Sequence, residues 1–502
     1  MSAAGTAFSR SGGLAFRIGM AVGATAATAF ARPAQAGPPE PPSTIPPDTV
    51  QTIEPRTVPE ARAAPEPRAA PEPTSARPRE SPAAEAGTRI EAGGWAKQRV
   101  DLFPLELAHP EPGRSDIVSR TDLFVRARYS RSHHLEVNAS GGITHTIFHG
   151  GQTDQFRGAF DPELHEAYVG VFTSDLDFRF GQQRLAWGVT DFMSPNDVLN
   201  ARDLRDPFLG EEELRFIPTP MLRADWYIGI VTLEAVVSPW FVPDRFDVYG
   251  TNWSGVEPSA PTLFQGQAAT TFGMYDPSLF DQAQRLYQQT RLPVADYTEP
   301  SAGGQLAING EGFDLHFMYH YGFDGPFVTL NETSNLAATY IRRHHVGMAA
   351  TAGLGPVVFR FEAAYQSQRV FFRSNLLSHK SPAGEVAAAL EWQTGDPAKV
   401  ALLEFRYQHI VDAPPDPLLA WEQESLGVGF SFRWPLLGPL RTDSRILVGT
   451  QPVTVVAKPE LELNFDEWIV GAGWLGVVGN QPSFGWYYRR NSEAFAFVKW
   501  LF

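Results

Sequence analysis

The sequence predicts an all-β fold, a transmembrane antiparallel up-and-down β-barrel of about 16 strands (14–18) with long outer loops and a disordered N-terminal extension. Three observations predict it. Apolar residues recur with a period of two from about Thr88 onward. Short and long connections alternate along the chain. A leader opens the chain and an aromatic strand, Ala494 to Phe502, closes it.

Composition narrows the classes. The 502 residues carry 41 Lys+Arg against 56 Asp+Glu, a formal charge of −15, and no Cys. The absence of Cys excludes a disulfide framework, a thiolate metal site and a catalytic thiol. The acidic balance argues against a nucleic-acid partner, because a phosphate backbone needs a basic face. At 43% hydrophobic residues the chain is no helical membrane protein, yet 35 Phe and 12 Trp are many for an ordinary soluble enzyme. A wall that is apolar outside and polar inside gives that combination.

Residues 1–36 read as a signal peptide. Arg10 and Arg17 form the basic region, Ile18 to Phe30 the apolar region, and Ala34-Gln35-Ala36 the cleavage rule. The apolar region is too short to span a bilayer as a helix. Residues 37–87 read as a Pro-rich, disordered periplasmic linker, in which Ala63-Ala64-Pro65-Glu66-Pro67-Arg68 nearly repeats as Ala69-Ala70-Pro71-Glu72-Pro73-Thr74. Proline removes donors and no aromatic is present, so no core forms. Residues 88–502 form the barrel.

Strands follow by alternation. Leu123, Val125, Ala127 and Tyr129 alternate with Asp122, Phe124, Arg126 and Arg128; Leu176, Phe178 and Phe180 alternate with Asp177, Arg179 and Gly181. A β-sandwich alternates as well, so connection lengths carry the distinction. Tight turns fall near 130–132, 174–175, 309–312, 353–356 and 394–397. Long polar connections fall at 148–163, 187–221, 239–300, 323–338, 370–382 and 411–422. A soluble sandwich has no reason to gather its long loops at one end. We count 13 strands to residue 434. The tail is ambiguous, because Pro452 and Pro459 interrupt it. Val498, Trp500 and Phe502 share one face of the last strand and form the expected assembly signal.

The segment 181–225 holds the most information. It contains Gly181-Gln182-Gln183, Trp187-Gly188, Asn200-Ala201-Arg202-Asp203 and Pro218-Thr219-Pro220-Met221. This pattern resembles a family of porin-like outer-membrane proteins of proteobacteria, mostly of unknown function. The chain departs from it at Gln182, where the family has Arg, and at Ala201, where it has Pro. The resemblance implies a barrel and membrane transport with no defined substrate. It also implies an inner-membrane exporter as a partner, since some relatives are thought to work beside one.

Asp191, Asp197, Arg202, Asp203, Arg205 and Asp206 place opposite charges a few residues apart. One reading is a loop folded into the lumen, its charges setting a constriction. The other is a loop held rigid by local turns and surface ion pairs. The lumen-wall candidates are Arg126, Arg128, Arg179, Arg342, Arg360 and Arg406, with His316, His320, His344 and His409 beside them. Leu279, Phe280, Ala283, Leu286 and Tyr287 predict a short helix over 277–289, either capping its own loop's core or lying across the barrel mouth as a lid.

No Gly-x-Ser-x-Gly elbow and no His-Glu-x-x-His helix is present. His133-His134 and His344-His345 are adjacent, so each pair points to opposite faces of a strand and cannot chelate one ion. We therefore expect no enzyme, cofactor or metal. The expected function is an outer-membrane channel passing small solutes through a polar lumen, in a Gram-negative cell. Its partners are outer-membrane lipid and the barrel-assembly machinery. The competing readings are a conduit for apolar compounds working with the exporter, a barrel-borne hydrolase, and a non-conducting structural barrel.

Overall fold

The computed structural model describes residues 88–502 apart from 112–113, 132–133, 151–152, 193, 246–250, 254–299, 331–335, 373–377, 397, 414–422, 451–452 and 481–482. The expected signal peptide, the linker and the helix over 277–289 lie outside the described residues.

The strands run β1 (Thr88–Leu102), β2 (Ile117–Arg131), β3 (Leu135–Gly150), β4 (Gln155–Phe172) and β5 (Leu176–Gln183). Residues 184–218 then leave the wall, carrying the two-residue strands β6 (Ala201–Arg202) and β7 (Phe216–Ile217). The wall resumes with β8 (Thr219–Ile228), β9 (Val231–Ser238), β10 (Ser301–Gly310), β11 (Phe313–Leu330), β12 (Leu336–Leu354), β13 (Val357–Phe372), β14 (Ser378–Gln393), β15 (Val400–Ile410) and β16 (Glu424–Leu437). It ends with β17 (Leu440–Gly449), β18 (Thr454–Lys458), β19 (Glu460–Phe465), β20 (Trp468–Gly479) and β21 (Glu493–Leu501). Apart from β6 and β7, each wall strand pairs antiparallel with its neighbours, and β21 returns to β1 from Trp95 opposite Leu501 to Leu102 opposite Ala494. The sheet is closed, so no edge is left to aggregate.

The barrel has 18 strands, not the 16 expected. Segments β18 and β19 occupy one position. On both neighbours, β17 and β20, the register is the same on either side of Pro459. The break is only the N–H that Pro459 lacks. Hydroxyls of β17 patch it: Thr442 donates to the Glu460 carbonyl at 2.9 Å, and the Glu460 N–H donates to Ser444 at 3.4 Å. The tail thus holds four strand positions. Fourteen more precede residue 438, one beyond the predicted 13. The turn at Gly229-Ile230 was not among those predicted, because Ile228 and Val231 flank it with apolar residues; Gly229 takes φ 62° to make it.

One end of the barrel carries only connections of two to six residues: 132–134, 173–175, 229–230, 311–312, 355–356, 394–399, 438–439 and 466–467. Three of the long connections expected at the other end shrink. Strands β3 and β4 run to Gly150 and from Gln155, β11 and β12 to Leu330 and from Leu336, β13 and β14 to Phe372 and from Ser378. Backbone pairing continues there through polar, Gly- and Pro-bearing stretches that composition alone reads as loop, although Phe156, Phe160 and Leu164 of β4 keep the outward parity.

The wall is two-faced. In β2, Val125 stays 47% exposed outward while Asp122 and Phe124 are buried inward. Aromatic residues gather on the outward face near the short turns: Phe178, Trp226, Phe313, Trp392, Trp468 and Trp500 are all exposed, with Trp468 stacked on Trp500 at 5.9 Å. Among the described residues no helix is long and apolar enough to cross a membrane.

Candidate functional site

Residues 184–218 enter the barrel and dock on its inner wall. Their entry is fixed by backbone groups. Arg184 N–H donates to Glu166 at 3.0 Å, and Leu185 N–H donates to the Asn200 side chain at 2.7 Å. Leu185 and Trp187 then pack with Met221, Val236, Met318 and Ala349 in a buried cluster. The Trp187 indole N–H donates to Glu234 at 2.5 Å.

The first half of the segment hangs on two wall carboxylates. Glu362 Oε1 accepts from the Val189 and Thr190 N–H groups, both at 2.6 Å, and from the Thr190 hydroxyl at 2.8 Å. Its Oε2 accepts from the Ser194 hydroxyl at 2.8 Å and the Asn196 N–H at 3.2 Å. Glu404 Oε2 accepts from the Asp191 and Phe192 N–H groups at 2.9 and 3.1 Å. An irregular segment buried in a barrel must place its N–H groups somewhere, and these carboxylates take them. Asn196 completes the seat, donating to the Met348 carbonyl at 2.9 Å while His345 Nε2 lies 3.2 Å from its Oδ1. Gly347 makes that approach possible, since a Cβ there would sit 2.0 Å from Asn196 Oδ1.

The second half is held by charge. Asp206 meets Arg99 at 2.6 Å and Arg120 at 3.1 Å. Glu211 sits between Lys97 at 2.6 Å and Lys499 at 2.5 Å, which ties β1 to β21 across the closing seam. Asp203 pairs with Arg205 at 2.6 Å, and Arg205 reaches Asp161 of β4 at 2.7 Å. Leu214 packs with Trp95 and Phe124. Burial alone would push these carboxyls up. For Asp206 the charges of Arg99 and Arg120 outweigh it, for Glu211 those of Lys499 and Lys97, and for Asp203 those of Arg205 and Arg245, so all three lie below the usual carboxylate range. Asp197 is different: burial outweighs its 3.2 Å pair with Arg202, and its carboxyl lies above that range.

The structure brings all six loop candidates inside the barrel, each in an ion pair. Asp191, Asp197 and Arg202 are buried, and Asp191 pairs with Arg360 of the wall at 3.1 Å. Asp197–Arg202 and Asp203–Arg205 are local pairs, while Asp206, Arg205 and Asp191 also reach β1, β2, β4 and β13. Of the wall candidates, Arg126, Arg128, Arg179, Arg360 and Arg406 stand on inward positions. Arg128 pairs with Glu136, Arg179 with Asp225, Arg360 with Glu391, and Arg406 with Glu385. Arg342 is corrected to the outer face. It stands opposite Phe323 in the register, beside Tyr321, and its guanidinium covers both rings at 4.6 and 4.5 Å. Its parity on β12 is that of exposed Val346, while His345 and Arg343 take the inward positions. His344 follows Arg342 outward, stacked on Tyr321, and His409 of β15 shares the face of exposed Phe405 and Tyr407. His316 and His320 are inward, on the face of buried Met318.

The residues that sequence reasoning missed are Glu362 and Glu404. The available signal was parity. Arg360-x-Glu362 and Glu404-x-Arg406 place an acid on the same face as each predicted arginine. Val498 and Trp500 face outward on β21 and Phe502 follows in the same parity, while Phe495 and Phe497 are buried inward.

A family described as "Protein of unknown function (DUF1302)" matches residues 115–456. No curated protein matches the chain. Among solved structures, the outer membrane channel DcaP of Acinetobacter baumannii is 10% identical, covering 84% of this chain and 99% of that chain at a TM-score of 0.39. Outer-membrane expressed OmpT of Vibrio cholerae is 10% identical over 84% and 99% at 0.40, and a porin variant of Rhodopseudomonas blastica 10% over 82% and 100% at 0.33. At this level of identity and superposition the likeness carries no functional argument.

Proposed function

The chain belongs to this family of proteins of unknown function, and we propose that it is a porin-like channel of the Gram-negative outer membrane, its lumen partitioned by residues 184–218. The observation that carries this reading is the two-faced closed wall. Fifty large apolar side chains stay exposed on the described surface. At roughly 1 kcal/mol forgone for each half-exposed side chain, water would cost such a surface tens of kcal/mol. A hydrocarbon surround removes the cost, and only a closed barrel or a helix satisfies every backbone group there.

The inner wall supports a path for polar solutes rather than apolar ones, because its inward positions carry Arg, Asp and Glu along most strands. In this reading Asp191, Asp197, Arg202, Asp203, Arg205 and Asp206 fix the partition in place instead of lining a free ring of charge, since each is already paired. Residues 1–36 direct export, 37–87 span periplasmic space, and Val498, Trp500 and Phe502 are read by the assembly machinery. Small-solute passage then follows whatever gap the partition leaves.

Single-channel recording in planar bilayers tests the reading. The wild-type barrel is expected to conduct, and deletion of 190–210 to raise conductance in a barrel that still folds. A folded wild type without conductance removes the channel reading. Unchanged conductance on deletion removes the partition from the path.

A further inference from the structure

The inner-wall carboxylates described above are met by arginines or, like Glu362 and Glu404, by N–H groups, and Asp314 is met by neither. Glu136, Asp225, Glu391 and Asp443 each meet an arginine. Asp314, the second residue of β11, is 7% exposed and has no ion pair among the described residues. Its Oδ1 is buried without a hydrogen-bond partner. A desolvated carboxylate without a counter-charge is a costly feature to retain.

Two neighbours share the same deficit. Asn309 lies directly opposite Asp314 in the β10–β11 register, across the two-residue turn Glu311-Gly312. Its Nδ2 donates to Thr232 at 3.4 Å, and its Oδ1 is buried without a partner. His316 stands two residues along β11, on the same inward face, and its Nδ1 is also buried and unpartnered. Across from His316 are only Ala307 and Ala349, so nothing larger than a methyl group faces it in the register. Two oxygens and one ring nitrogen, all able to accept, therefore share one inward face near the short-turn end of the barrel, on residues adjacent in register or two apart on β11, beside an unpaired carboxylate. A protonated primary amine supplies the complement: one positive charge and three N–H donors on one atom. A divalent cation suits the set less well, because among the described residues no group of three His, Cys, Asp or Glu could hold one.

We propose that Asp314, Asn309 and His316 form a subsite for the primary ammonium group of a solute at the short-turn mouth of the lumen. The proposal rests on the reading of the interior as a passage, and names a solute chemistry that the passage would favour. Asp314 supplies the charge, and Asn309 Oδ1 and His316 Nδ1, in the tautomer protonated at Nε2, accept the remaining N–H groups.

The test is equilibrium binding to the full barrel in detergent, which needs no conduction and so stands apart from the channel measurement. Methylammonium and tetramethylammonium, equal in charge but with and without N–H donors, are titrated and followed by saturation transfer from the protein to their methyl resonances. Saturable methylammonium binding is expected, weakened at least about tenfold in Asp314→Asn and less in Asn309→Ala or His316→Ala. Tetramethylammonium is expected not to compete. Equal binding of both ions, or methylammonium binding unchanged in Asp314→Asn, overturns the proposal. So does the absence of saturable binding, which would leave the three atoms to water. Should Asp314→Asn fail to fold, the comparison of the two ions on the wild type decides alone.

Discussion

At the residue scale the inserted segment depends on Glu362 more than on any of its own charges. One carboxylate takes five donors from residues 189–196. Removing it leaves those donors buried with nothing to meet, and a broken buried network costs ~3–5 kcal/mol. The barrel ladder does not pass through that side chain, so the loss falls on docking and not on the wall. Glu362→Ala is expected to keep a folded barrel while exposing 189–197 to limited proteolysis. Gly347→Val is expected to do the same by a different route, because its Cβ would occupy the place of Asn196 Oδ1. A segment still protected in both variants would show that the ion pairs of the second half suffice alone. Sequence reading found the arginines of this site and missed its acceptors, because a carboxylate that accepts backbone N–H groups has no charged partner to betray it. The parity error at Arg342 has another cause. His344-His345 and Arg342-Arg343 put one of each kind on both faces, and alternation cannot choose between two polar neighbours.

At the scale of elements, the two halves of the segment respond differently to acid. Asp203, Asp206 and Glu211 lie below their ordinary range in the docked state. Their contribution is therefore present in full above about pH 4–4.5, the value for unfolded carboxylates, and is lost as pH falls through the depressed values. Asp197, pushed up by burial, acts in the opposite sense, but one group does not offset three. The second half is expected to stay docked at pH 5 and to loosen below about pH 4. The chain has no Cys, so a single spin label at Val198→Cys or Leu209→Cys reports each half without background. Greater mobility of the Leu209 label at pH 6 than at pH 3.5 would contradict the assignment. The same scale explains the strand count. Pro459 reads as a strand breaker, yet the register runs through it because Thr442 and Ser444 supply hydroxyls where a ladder bond is missing. Those residues precede Pro459 by more than a dozen positions, and local pattern cannot pair them.

For the whole molecule, closure is the property on which the rest depends. The alternation of short and long connections made a barrel legible, and the aromatic end made its last strand legible. Neither says how β21 meets β1. The seam joins residues about 400 apart in sequence through eight register pairs, Trp95–Leu501 to Leu102–Ala494. It is reinforced from inside, where Lys97 of β1 and Lys499 of β21 share Glu211 of the inserted segment. Two kinds of damage separate these contributions. Phe497→Pro removes a donor from a strand paired on both sides, with Arg99 across one ladder and Gly471 across the other. Such a proline costs ~3 kcal/mol or more and has no patching hydroxyl opposite. Glu211→Gln leaves both ladders intact and removes only the clamp. On unheated detergent gels, Phe497→Pro is expected to lose the compact form altogether. Glu211→Gln is expected to keep it, with the compact form converting at a temperature lower by several degrees. If Glu211→Gln abolished the compact form as Phe497→Pro does, the inserted segment would be part of what closes the wall, and not a partition added to a wall already closed.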